Sequence, residues 1–218
     1  MTKSDAELKQ DVLAELEWDP SVNAAGIGVE VNYGIVTLAG HVTSYTEKLN
    51  AEDAAQRIFG VKAFTTRIRV SLASADKRDD TDIAKSAQNT LDWLFYSPED
   101  AFKILVENGW VTLSGKVEWE FQRKLAIDAT RGLAGVVGVS NKINIQHKIN
   151  SSNIKLDIEA ALKRRANGVS KTIIVETNNG AVTLSGSAQS WSERALASST
   201  AWASLGVNSV INNIEIAN

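Results

Sequence analysis

Apolar residues recur along this chain with two spacings, one typical of helices and the other of strands. Leu8, Val12 and Leu16 are four positions apart, which places their side chains on one face of a helix. Ile27 and Val29 then alternate with small or charged residues, as in a strand that buries one face. Continued along the chain, these patterns predict the order helix, strand, strand, helix, strand.

This order occurs three times in 218 residues, and each copy carries the same glycine landmarks. A heptad Gly-x-Val-Thr-Leu-x-Gly starts at Gly34, Gly109 and Gly180, and a Gly-Val pair begins twenty residues after its closing glycine. The structural glycines of the three copies are Gly34, Gly40 and Gly60, then Gly109, Gly115 and Gly135, then Gly180, Gly186 and Gly206. Three landmarks at constant offsets indicate a tandem repeat.

The repeat predicts an α+β fold with three tandem αββαβ domains, at residues 1–72, 78–147 and 151–218. Each domain should form a three-stranded sheet with both helices packed on one face, because only one face of the strand pattern is apolar. The closing heptad glycine should end the second strand. Ser44 and Ser190 should cap second helices through capping boxes, which the middle copy lacks. Domains of this size have small cores, which favours contact between copies.

The heptad, the later Gly-Val pair and the closing Ile-x-Ile or Ile-x-Val strand resemble the BON domain, a bacterial family named after an osmotically inducible protein and nodulation proteins. The resemblance covers essentially the whole chain, in three copies. It implies the same helix-strand-strand-helix-strand fold. It also implies non-catalytic roles: binding phospholipid or membrane surfaces, protection against osmotic stress and maintenance of the cell envelope.

Composition and charge limit the kinds of partner that the protein can bind, but they say little about its fold. The net charge of −3 predicts no nucleic-acid partner, and the absence of cysteine excludes disulfides and thiolate chemistry. The N-terminal sequence shows no apolar export signal. We therefore expect a cytoplasmic protein, or a periplasmic one if a signal has been removed.

The one run of three cations, Lys163, Arg164 and Arg165, ends the first helix of the third copy. Residues 151–218 carry 6 basic and 5 acidic residues, whereas residues 1–75 carry 7 and 10. The run is a candidate site for anionic lipid, because each cation contributes about 1 kcal/mol near such a surface. The alternative is that it stabilises the negative end of the helix dipole.

Tryptophans supply a candidate exposed contact surface. Trp110 should point outward from its strand, beside Leu105, because the adjacent Val111 points inward. Trp119 and Trp191 stand at the starts of second helices. Exposed tryptophans favour membrane interfaces or protein contacts, and the alternative is that these side chains fill crevices between the copies.

No set of residues predicts catalysis, a cofactor or a metal. His41 and His147 lie in different copies, and the acidic clusters at 15–19 and 76–82 lack the pattern of a calcium loop. We predict a non-enzymatic protein without a cofactor that binds phospholipid surfaces in osmotic or envelope stress protection. The alternative is a cytoplasmic stress-response module that binds proteins or senses ions such as potassium.

Overall fold

The fold is described from a computed structural model over residues 3–95, 102–146, 153–165 and 173–217, without the side chain of Arg165. The first domain contains α1 (Asp5–Trp18), β1 (Ile27–Asn32), β2 (Ile35–Val42), α2 (Tyr45–Arg57) and β3 (Ala63–Val70). The second contains α3 (Asp80–Phe95), β4 (Phe102–Glu107), β5 (Trp110–Val117), α4 (Glu120–Arg131) and β6 (Gly138–Ile145). The third contains α5 (Ile154–Arg165), β7 (Ile173–Asn178), β8 (Ala181–Ala188), α6 (Trp191–Trp202) and β9 (Ser209–Ile216).

The second strand is the central strand of each sheet. In the first domain β2 pairs antiparallel with β1 and parallel with β3, and the other two domains repeat this arrangement. The second helix makes the crossover that a parallel pair requires. The prediction of an α+β fold with three αββαβ domains, each with two helices on one face of a three-stranded sheet, is confirmed.

Each domain has its own aliphatic core, built around the Val and Leu of the heptad. Val36 and Leu38 are fully buried in the first domain, and Leu8, Val12 and Leu16 of α1 join them in one cluster. The alanines that α2 buries are Ala51, Ala54 and Ala55. Their small side chains let α2 lie close to the sheet, while burial of each leucine stabilises the domain by about 1.5–3 kcal/mol.

A carboxylate at the start of the first helix holds the hairpin turn in the first two domains. Asp5 accepts hydrogen bonds from the backbone N–H groups of Tyr33 and Gly34, at 2.7 and 2.8 Å. The φ angles of these turn residues are 52° and 78°, as a type I′ turn requires. Asp80 makes the same two bonds to the turn of the second domain, both at 2.8 Å. These bonds fix the start of the first helix against the end of the hairpin.

The closing heptad glycine does not end the second strand, so that prediction was wrong. β2 continues from Gly40 to Val42, and β5 and β8 extend equally far beyond their glycines. Gly40 has a φ of 146°, and a Cβ at this position would overlap the carbonyl oxygen of Gly26. The glycine is required because the backbone just before β1 approaches β2 closely at this point.

Side chains at the start of the second helix bind free backbone N–H groups. Ser44 and Ser190 are the N-caps of α2 and α6, each accepting a bond from the N–H three residues on, at 3.1 and 3.2 Å. The glutamates of the predicted capping boxes, Glu47 and Glu193, accept the N–H of the residue before each cap. The middle copy also has a capping contact, contrary to the prediction. The amide oxygen of Gln122 accepts the N–H of Trp119 at 2.9 Å, because glutamine serves as well as glutamate at this position.

Glu47 ties α2 to the loop before β1. Its carboxylate accepts the N–H of Asn23 at 3.0 Å, and the N–H and hydroxyl of Thr43 at 2.8 and 2.9 Å. Burial opposes ionisation of Glu47, but these donors outweigh it and hold its pKa below the usual 4.5. The ionised carboxylate therefore stabilises the fold above the ordinary glutamate pKa. That stabilisation is lost as the pH falls through the lowered value.

We predict that Glu47→Gln lowers the free energy of unfolding by about 1–3 kcal/mol at neutral pH, because a neutral amide replaces a carboxylate that accepts several hydrogen bonds. The difference from wild type should shrink in acid, where Glu47 itself becomes protonated. Urea denaturation at both pH values measures it, with the exposed Glu17→Gln as a control that should match wild type. A difference that persists unchanged in acid would contradict the role of the charge.

The second helices of the three domains, α2, α4 and α6, contact one another head to tail, and we call each of the three contacts a joint. At the first joint, the start of α2 contacts the end of α4: Tyr45 packs against the core of the second domain, and the hydroxyl of Thr46 donates to the carbonyl of Arg131 at 3.5 Å. At the second joint, the guanidinium of Arg123 in α4 lies 4.4 Å from the ring centroid of Trp202, at the end of α6.

Trp191 makes the third joint and closes the ring. Its Nε1 donates to the carbonyl of Val61, just beyond α2, at 3.0 Å, and its ring packs against the core of the first domain. Each joint connects the start of one second helix to the end of another, and the series closes after three steps. The three domains therefore form a closed ring. The first two joints are also spanned by linkers, whereas the third is held by non-covalent contacts alone.

We expect Trp191→Ala to open the third joint, because a tryptophan that anchors an interface contributes about 2 kcal/mol or more. Small-angle X-ray scattering should show a larger radius of gyration, with an unchanged far-ultraviolet circular dichroism spectrum. Trp93→Ala is the matched control, since Trp93 is 77% exposed. Equal radii for Trp191→Ala and wild type would show that this residue does not hold the ring closed.

Candidate binding surfaces

The first helices of the three domains share an equivalent exposed position near their C-terminal ends. The heptad spacings of 75 and 71 residues align Trp18 with Trp93 and with Arg164. Trp18 is 83% exposed at the end of α1, and Trp93 is 77% exposed in the last turn of α3. In α5, Arg164 is exposed and follows the exposed Lys163. We call these four residues the helix-end surface.

The ring of domains determines how these positions are arranged. The joints place the three domains in a closed ring, and each domain carries one of these equivalent positions. Trp18, Trp93 and Arg164 therefore mark equivalent corners of the ring. They lie on three helices that are far apart in the sequence.

The three corners differ in charge. A carboxylate precedes each tryptophan, Glu17 in α1 and Asp92 in α3, whereas Lys163 precedes Arg164 in α5. The first two corners therefore present an indole, and the third presents two cations. An anionic partner would be attracted at the third corner and would contact apolar rings at the other two.

The predicted lipid-binding run lies at this third corner. Lys163 and Arg164 are exposed, and neither makes an ion pair with the residues that the structure describes. The side chain of Arg165 lies outside the described residues. Because both cations are in the last turn of α5, they also interact favourably with its dipole. Lipid binding and stabilisation of the helix dipole are therefore compatible roles for Lys163 and Arg164.

Trp18 lies outside the sites that the sequence predicted. Its own neighbourhood, Glu15 to Asp19, is acidic and gives no sign of a binding surface. Alignment of the three copies on their heptads reveals Trp18, because it places Trp18, Trp93 and Arg164 at the same aligned position.

The predicted contact surface is divided between two places. Trp110 and Leu105 lie on the outer face of the second sheet, 46% and 54% exposed. The Trp110 ring rests on Gly138, where a Cβ would overlap it, and its Nε1 donates to the hydroxyl of Ser140 at 2.8 Å. The indole therefore lies flat on the sheet with one face towards solvent.

Trp119 and Trp191 are half-buried. Trp119 is the N-cap residue of α4, and Trp191 is the first residue of α6. Trp191 fills the crevice between the third and first domains, as the alternative interpretation of the tryptophans expected. It is a joint residue rather than part of an exposed surface.

Titratable groups in the described residues do not form a metal site: no three His, Cys, Asp or Glu side chains converge there. His41 is exposed, and His147 lies outside the described residues. In the acidic cluster at 15–19, Glu15 and Asp19 accept hydrogen bonds from Arg57 at 2.9 and 3.0 Å. Hydrogen bonds from the Ser21 hydroxyl, which has the largest effect, and from Arg57 hold the pKa of Asp19 below its usual value.

No described helix has the length and apolar character needed to cross a bilayer.

The repeated unit matches a known family. The family model of the BON domain matches at residues 4–71, 79–147 and 150–218. The chain belongs to the BON domain family. Each BON unit corresponds to one αββαβ domain of the structure, and the family predicted from the heptads is confirmed.

One characterised protein and two solved structures are similar to this chain. Osmotically-inducible protein Y of Escherichia coli (strain K12) is 28% identical over 161 residues, which are 70% of this chain and 71% of that protein. The C-terminal domain of CdsD, a structural protein of the type III secretion system of Chlamydia trachomatis, has 16% identity and a TM-score of 0.28, over 99% of this chain and all of that one. The PrgH periplasmic domain has 12% identity and a TM-score of 0.24, over 96% of this chain and all of that one. Structural similarities with TM-scores this low support no functional argument.

Proposed function

We propose that this chain is a non-enzymatic BON-domain protein that docks on anionic phospholipid surfaces in osmotic or envelope stress protection. Membership of the BON family and similarity to an osmotically-inducible protein support the assignment to a stress-related BON protein. The phospholipid partner is supported by the chemistry of the helix-end surface.

The observation that carries the proposal is the exposure of Trp18 and Trp93 at equivalent corners of the ring. Indoles are favoured at the level of lipid headgroups, where one part of the ring is apolar and the N–H remains hydrated. Two indoles at equivalent corners can enter such an interface together. A solitary exposed tryptophan would anchor one domain alone.

Lys163 and Arg164 supply the attraction that an anionic surface requires. Two cations near anionic lipid contribute about 2 kcal/mol together, at about 1 kcal/mol each. Cations alone give weak binding unless apolar residues also insert. The tryptophans of the first two domains supply the apolar insertion, and the cations of the third domain supply the electrostatic attraction. Docking therefore uses all three domains.

We predict that the protein co-sediments with phosphatidylglycerol-containing vesicles more than with phosphatidylcholine vesicles, and that salt weakens this preference. Lys163→Ser with Arg164→Ser should reduce partitioning to anionic vesicles roughly thirtyfold, which corresponds to the loss of about 2 kcal/mol. Trp18→Ser with Trp93→Ser should weaken binding to both kinds of vesicle, because it removes the apolar contact.

The control is Arg67→Ser with Arg69→Ser, which removes two exposed cations from β3 without altering the helix-end surface. It should have a much smaller effect on sedimentation. A loss caused by Trp110→Ser, but not by the Trp18 and Trp93 changes, would place docking on the second sheet instead. Equal partition into neutral and anionic vesicles would overturn the electrostatic part of the proposal.

A further inference from the structure

A cleft of about 510 Å³ lies at the third joint, between the first and third domains. The first domain contributes Phe59 and Lys62 to its lining, and the third contributes Ile216 at the end of β9. The cleft adjoins Val61, whose carbonyl accepts the hydrogen bond of Trp191. Its volume falls within the range of about 300–1,000 Å³ that is typical of small-ligand sites.

Part of the lining is apolar and accessible. The Phe59 side chain is 52% exposed and that of Tyr33 is 88% exposed, although both line a cleft between packed domains. Ile216 adds aliphatic surface from the other side. Burial of such surface by a ligand contributes about 25 cal/mol per Å². The lining therefore favours a ligand with a hydrocarbon portion.

The polar part of the lining favours an anion. The stem of Lys62 lies against the hairpin turn, since a Cβ on Gly34 would be 3.0 Å from the Lys62 Cδ. Lys62 makes no ion pair with the described residues, whereas Lys3 pairs with Asp11 at 2.6 Å. The carboxylate in the lining, Asp5, already accepts two backbone N–H groups. The charge without a partner in the cleft is therefore the positive charge of Lys62.

These lining residues are particular to the first copy. The residues equivalent to Tyr33, Phe59 and Lys62 are Asn108, Ala134 and Val137 in the second copy, and Asn179, Leu205 and Asn208 in the third. The shared fold requires neither the aromatic rings nor the lysine at these positions. A ligand explains why one copy alone combines them.

We propose that this cleft binds a single-chain anionic amphiphile, a fatty acid or a lysophospholipid. The anionic head pairs with Lys62, and the hydrocarbon chain covers Phe59, Tyr33 and Ile216. A ligand that contacts both domains favours the closed ring by mass action. This site is separate from bilayer docking at the helix-end surface, because it takes up one molecule at a time.

Isothermal titration calorimetry of the full chain with sodium laurate, below its micelle-forming concentration, tests the proposal. We expect saturable binding to one site and much weaker binding of the neutral ester monolaurin. Tyr33→Asn with Phe59→Ala and Lys62→Val should reduce laurate affinity at least tenfold. The triple variant carries the residues that the second copy has at these positions, and the second copy adopts the same fold. A thermal melt verifies that the variant is folded.

A parallel titration with lauroyl lysophosphatidylglycerol distinguishes the source of the anion, and saturable binding of either amphiphile supports the site. Absence of saturable binding for both, equal laurate affinity in the triple variant, or equal affinity for monolaurin would overturn it. The triple variant should still co-sediment with anionic vesicles. Conversely, Trp18→Ser with Trp93→Ser should still bind laurate, so failure of one proposal is separable from failure of the other.

Discussion

Side chains at the ends of the second helices hold three small cores together in one molecule. Trp202 packs against the cores of both the second and third domains, and Trp191 extends from the third domain to the core of the first. Each core is small because each domain is short, so these shared aromatics add apolar contact that no domain supplies alone. The position of the helix-end surface and the walls of the cleft at the third joint both depend on them.

The fold within each domain could be predicted because its determinants are local. The spacing of Leu8, Val12 and Leu16 and the heptad around Val36 and Leu38 specify helix and strand within a few residues. The role of Gly40 was misjudged because it depends on Gly26, which lies just before the paired strand β1. Contacts across a sheet are not visible in the spacing of one segment.

The binding surfaces were only partly predictable. The cations at Lys163 and Arg164 are consecutive in the sequence, which singles them out as a candidate site. Trp18 was not singled out, because its own neighbourhood is acidic and its exposure becomes evident only in the fold. Trp191 was recognised as an unusual residue, but whether it faced solvent or another domain could not be decided, since its partner Val61 lies 130 positions away. Interfaces between domains join residues that no local pattern connects.

Closure of the ring within a single chain gives it a property that an assembly of three separate copies would lack. The partners at every joint are tethered, so their effective concentration is set by the linkers rather than by the amount of protein. A trimer of separate domains would dissociate on dilution and form again on concentration. A ring formed within one chain keeps the same state when a compartment swells or shrinks. In the osmotic-stress role that we propose, assembly would then be unaffected by the volume changes that accompany that stress.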